Sequence, residues 1–111
     1  MKIDRQSCGT VDVFTPFGTL VDEEADKFAK FLAERLRSPN HRFVIDLSEV
    51  PYMDSVALEG LATAADELEA RSMRLRLVSV PPACREIFEL TGISPQFEFF
   101  EDAEQAVRSF L

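Results

Sequence analysis

Val44-Ile45-Asp46-Leu47-Ser48-Glu49-Val50-Pro51-Tyr52-Met53-Asp54-Ser55-Val56-Ala57-Leu58-Glu59-Gly60-Leu61 passes from one structural period to another. With Phe43 ahead of it, the run opens as a short, nearly continuous apolar strand of the kind buried on both faces of a sheet. Pro51 marks the exit. Beyond Asp54-Ser55 the apolar positions Leu58, Leu61, Ala62, Ala65 and Leu68 recur at helical spacing, which predicts a helix over about residues 55–70. A buried strand feeding a helix through a short loop is the repeating unit of α/β folds.

The neighbouring segments repeat that unit. Residues 2–6 and 10–16 read as two strands, the second carrying Val11, Val13 and Phe14, with Ser7-Cys8-Gly9 as the turn. Gly18 breaks the pattern. From Asp22 the period changes, and Ala25, Phe28, Ala29, Leu32 and Leu36 fall on one helical face. Asp22, Glu23 and Glu24 suit the first turn of that helix, Arg35 and Arg37 suit its last, and Ser38-Pro39-Asn40 ends it. A further strand is expected at Arg74–Ser79. Pro81-Pro82 then opens a third helix carrying Cys84, Ile87, Phe88 and Thr91, with Gly92 as its left-handed cap. A strand near Phe97–Phe99 leads to a closing helix marked by Ala103, Ala106, Val107 and Phe110. The expectation is a single α/β domain over residues 1–111, with a mixed sheet of four to five strands and about four helices. The connections from strand 10–16 to 42–47 and from 42–47 to 74–79 each contain a helix, so those pairs are expected to be parallel.

Composition narrows the function classes. The 111 residues are 46% hydrophobic, enough for a core, and the aromatic packing rests on ten Phe and no Trp. Twelve basic against twenty acidic side chains leave a net charge of -8, which repels phosphate backbones and anionic lipid surfaces. Neither direct nucleic-acid binding nor membrane insertion is expected. Met1 runs straight into Lys2-Ile3-Asp4, and Cys8 and Cys84 lack paired spacing, so the expectation is a cytoplasmic protein with free thiols, no metal and no cofactor of its own.

Catalytic signatures are scarce. The chain has no phosphate loop, no dinucleotide fingerprint and no paired-histidine metal motif. Its one histidine, His41, precedes the strand that Ser55 follows, which separates them by roughly 15–20 Å at about 3.3 Å per residue. A serine–histidine pair is therefore excluded, and the chain is expected not to be an enzyme. Asp54-Ser55 has two readings. One is a helix N-cap, satisfying orphan backbone N–H groups. The other is phosphorylation of Ser55, which places about -1.5 to -2 charges at a helix N-terminus that can accept them, beside a partner that cannot.

At these residues the chain resembles the STAS family, the domain shared by sulphate transporters and bacterial anti-sigma factor antagonists. Three stretches carry the likeness. They are Val44–Leu61, Phe17-Gly18-Thr19-Leu20, and Ala83–Phe88 with Leu90-Thr91-Gly92-Ile93 followed by Phe97 to Val107. The resemblance implies a switch that binds an anti-sigma factor which is also a serine kinase, is released by phosphorylation of Ser55, and is restored by a serine phosphatase. ATP and magnesium would belong to the kinase. Because each of the two loops follows a parallel strand, Gly18, Thr19, Leu20, Val21 and Asp22 are expected to meet Tyr52, Met53, Asp54, Ser55, Val56 and Leu58 at one end of the sheet, as the surface for a partner. The chain departs from the family's usual Asp-Ser-Ser-Gly-Leu-Gly by reading Asp54-Ser55-Val56-Ala57-Leu58-Glu59. That departure keeps a second expectation open, a constitutive accessory subunit of a transporter such as a lipid-transport ATPase complex.

Overall fold

The computed structural model describes residues 1–111. Five strands and four helices follow in the order β1 (Lys2–Cys8), β2 (Val11–Phe17), α1 (Asp22–Arg37), β3 (Phe43–Asp46), α2 (Ser55–Glu69), β4 (Leu75–Val78), α3 (Pro82–Leu90), β5 (Phe97–Phe100) and α4 (Ala103–Arg108). A short 3₁₀ turn at Ser94–Gln96 precedes β5. The sheet order is the chain order, β1 to β5, with β1–β2 antiparallel and the three later pairs parallel. The turn of the opening hairpin differs from expectation. Cys8 pairs with Val11, so the turn is Gly9-Thr10, and Gly9 supplies the positive φ (64°) that a two-residue hairpin loop needs. Pro16 is tolerated inside β2 because β3 pairs only with Asp12–Phe14, leaving Pro16 without a second neighbour to donate to.

Alternation along the strands sorts the core into two layers. Phe14, Phe43, Ile45, Leu75, Leu77 and Phe97 face α1, α2 and α3, whose Phe28, Leu32, Leu61, Leu68 and Phe88 complete a cluster of 22 buried residues. Val11, Val13, Val44 and Val78 face the other way, toward Ala106 of α4. Successive right-handed crossovers between neighbouring strands place every connecting helix on one face, and only the helix after the last strand is free to cover the other. On α1 the expected stripe is buried except at Ala29, which is half-buried; on α2 the expected Ala62 is only half-buried, while Ala57 and Ala64 join the stripe because α1 packs there as well as the sheet.

The α1–α2 contact depends on one glycine. A Cβ added at Gly60 would lie 3.0 Å from Ala29 Cβ and 3.2 Å from Ala29 Cα, closer than backbone can comfortably yield. Gly60→Val is therefore expected to lower stability by about 1–3 kcal/mol through overpacking, against a helix-propensity gain of a few tenths. Urea unfolding monitored by circular dichroism measures it, and an unchanged midpoint would show that the helices can separate freely.

Candidate functional site

The loop after β2 and the loop after β3 run side by side at the carboxyl ends of the parallel strands, where open α/β sheets place their functional groups. The backbone zips them together. Gly18 N donates to Glu49 O, Leu20 N to Tyr52 O and Asp54 N to Leu20 O, each at 3.0 Å, and Leu20 and Met53 form a parallel bridge. The segments Gly18–Asp22 and Tyr52–Leu58 thus meet.

Asp54 is the centre of the site. Its Oδ1 accepts from Val56 N at 3.0 Å and Ala57 N at 3.1 Å, capping α2. Its Oδ2 accepts from Asp22 N at 2.8 Å, at the start of α1. One carboxylate therefore serves the N-termini of two helices. Asp22 adopts φ 53° to present its N–H, a left-handed conformation that aspartate tolerates better than most side chains. No side chain of α1's own N-terminus does this work. The cross-element cap has no signature in the sequence, since its partners lie 32 positions apart. These N–H donors, that of Asp22 foremost, hold the Asp54 carboxyl below its ordinary range.

That shift has a testable consequence. A carboxyl whose folded pKa is depressed contributes its stability in full above the unfolded value and loses it as pH falls through the folded one. Asp54→Ala is expected to lower the urea midpoint at neutral pH, with the gap to the parent protein narrowing only below the usual carboxylate range. A gap that stays constant through acid pH would mean that the carboxylate charge contributes nothing.

Because Asp54 is the cap, Ser55 is spared that duty. Ser55 is exposed at the first position of α2, and its hydroxyl has no hydrogen-bond partner within the protein. The expectation that a phosphate there could use the helix N-terminus needs correction. Val56 N and Ala57 N already donate to Asp54, and Leu58 N donates to Asp54 O. A phosphate on Ser55 would find these donors already engaged and the Asp54 carboxylate next to it in the chain.

The predicted partner surface also divides. Tyr52 (49% exposed) and Val56 (38%) offer apolar side chains beside Ser55, with Thr19 and Gly18 exposed and Val21 half-buried. Leu20 (0%), Met53 (1%) and Leu58 (9%) do not. The bridge between the loops turns Leu20 and Met53 inward, and Leu58 lies on the core stripe of α2, so these three support the surface from beneath. His41 lies at the opposite end of β3, with Nε2 2.9 Å from Leu36 O and 3.0 Å from an Arg71 guanidinium nitrogen, and offers Ser55 no base. No group of three or more His, Cys, Asp or Glu side chains is arranged to hold a metal ion, and no helix is long and apolar enough to cross a membrane.

Comparison with known proteins gives consistent matches. The model of the STAS domain family matches residues 2–106. BtrV of Bordetella bronchiseptica, provisionally named an anti-sigma factor antagonist, is 27% identical over 93 residues, which cover 84% of this chain and 80% of BtrV. A Thermotoga maritima protein, also provisionally named an anti-sigma factor antagonist, superposes with a TM-score of 0.86 at 18% identity, over 96% of this chain and 92% of the other. The Bacillus cell fate determinant SpoIIAA in its phosphorylated form superposes with a TM-score of 0.75 at 18% identity, over 99% of this chain and 100% of SpoIIAA. At those identities the two superpositions establish the fold.

Proposed function

The chain belongs to the STAS domain family, and on that premise we propose that it is an anti-sigma factor antagonist, a non-catalytic protein-binding switch acting in the cytoplasm. In its unphosphorylated form it binds an anti-sigma factor that is also a serine kinase, and the sigma factor is freed. Phosphorylation of Ser55 ends the complex, and a serine phosphatase restores it. The observation that carries this reading is the division of labour at the start of α2. Asp54 does the capping, which leaves the Ser55 hydroxyl exposed and unbonded, in a segment where Tyr52 and Val56 also expose apolar side chains. The naming of BtrV and the existence of a phosphorylated SpoIIAA support the same reading.

Mass-spectrometric phosphosite mapping of the protein from its native cells, across growth and stress conditions, tests the modification. Phosphate on Ser55 that rises and falls with condition is expected. Its absence under every condition, with full coverage of residues 43–71, would favour a constitutive accessory subunit of a transporter, with Asp54-Ser55 held in a permanent interface.

A further inference from the structure

Charge is distributed unevenly along this acidic chain. The segments Arg35–Arg42 and Arg71–Arg76 hold six of the twelve basic side chains and none of the twenty acidic ones. All six are arginine, whereas the three lysines lie elsewhere. The fold brings the two segments together at the amino ends of β3 and β4, opposite the end that carries Ser55. Arg71 bridges them, with its guanidinium 3.0 Å from His41 Nε2 and 3.3 Å from Leu36 O.

Arg37, Arg42, Arg71 and Arg74 are exposed, and none has a carboxylate within 4.0 Å. Elsewhere Arg5, Lys27, Arg85 and Arg108 have all found one. Their other bonds are few. Arg42 reaches Thr10 Oγ1 at 3.5 Å and Arg74 donates to Pro95 O, which leaves most of the five donors on each guanidinium free. Helix-dipole complementarity accounts for arginines in the last turn of α1. Arg71 also serves α1, since its guanidinium meets the last-turn carbonyl of Leu36, but Arg74 and Arg42 have no such helix end to complement. Between the segments lies an open cleft of about 780 Å³ lined by Thr10, Pro39, Asn40, His41, Arg42 and Met73.

We propose that this arginine pole docks an acidic segment of a partner protein, a short run of Asp and Glu side chains, independently of the Ser55 surface. The guanidinium fork matches a carboxylate in a way that an ammonium does not. A nucleic-acid strand long enough to leave the pole would run over the rest of the chain, where six basic side chains face twenty acidic ones. A lipid surface fits less well, because none of the exposed large apolar side chains, Tyr52, Val56, Leu90 and Leu111, belongs to the pole.

The test is fluorescence anisotropy with a labelled alternating Asp-Glu peptide of about ten residues at low ionic strength, where exposed charge pairs are least screened. Saturable binding is expected, and Arg37→Glu/Arg42→Glu should weaken it about tenfold or more, with Arg37→Gln/Arg42→Gln intermediate. Lys27→Glu/Lys30→Glu changes the net charge equally but away from the pole, and should leave the affinity within about twofold. Equal losses in both Glu pairs, or no saturable binding, would overturn the proposal. Tighter binding of a single-stranded DNA of the same length, or of phosphatidylglycerol-containing vesicles, would overturn the choice of an acidic protein segment. None of these outcomes bears on Ser55, so this surface and the switch stand or fall separately.

Discussion

Ser55→Asp is expected to weaken binding to the partner kinase by about thirtyfold, roughly 2 kcal/mol, while Ser55→Ala binds within about threefold of the parent protein. The size of the effect comes from the surroundings of the serine. A carboxylate introduced at position 55 stands next to Asp54, whose oxygens already hold the first-turn N–H groups of α2 and the N–H of Asp22. The new charge finds little stabilisation within its own domain, so it must stay hydrated. A partner packed over Tyr52 and Val56 would have to remove that water without supplying a counter-charge. Phosphoserine, with nearly twice the charge and a larger volume, should exceed the aspartate effect. Calorimetry with the kinase recovered on Ser55→Ala as bait makes the comparison. Equal affinities for both variants would sink the switch and leave Asp54-Ser55 as a cap in a permanent interface.

Phe88→Ala is expected to cost about 3–5 kcal/mol, a large share of the roughly 5–15 kcal/mol that holds a domain of this size together. Phe88 is fully buried, and with Cys84 it is one of only two buried residues of α3. Its ring stacks on Phe97 with centroids 5.4 Å apart and lies 6.0 Å from Phe99, so it fastens both α3 and the edge strand β5 to the rest of the core. The absence of tryptophan concentrates this packing in phenylalanine rings, which carry no polar atom that water could rescue in the cavity. Urea unfolding should show the loss, and hydrogen exchange should show α3 and β5 opening before β2 and β3. A loss below about 1.5 kcal/mol would mean that α3 is held by contacts other than this ring.

Much of the architecture was legible because it is written in local periods. The change from apolar run to helical stripe around Asp54, the stripe from Ala25 to Leu36, and the paired prolines before Cys84 each depend on residues within a few positions of one another. The shift of the hairpin turn to Gly9-Thr10 was less legible, since several phases of a short exposed strand satisfy the same alternation and only the pairing of Cys8 with Val11 selects one. Within the site, sequence placed Asp54 and Ser55 at a helix start but could not say which of them caps it, because both residue types are competent.

The sequence by itself determined the order and type of the elements, the parallel crossovers that follow from connections long enough to hold helices, and hence which loops gather at the carboxyl ends of the strands. Tertiary structure alone decided that Asp54 joins α1 to α2, that Leu20, Met53 and Leu58 turn inward while Tyr52 and Val56 turn outward, and that Gly60 admits Ala29. It also decided that two arginine segments far apart in the chain share one pole, as the contact between Arg71 and His41, 30 positions apart, shows. The physical reason is range. Propensity and periodicity act through neighbours in the chain, whereas caps across elements, close helix approaches and charge clusters depend on distances that exist only once the sheet has brought remote segments together.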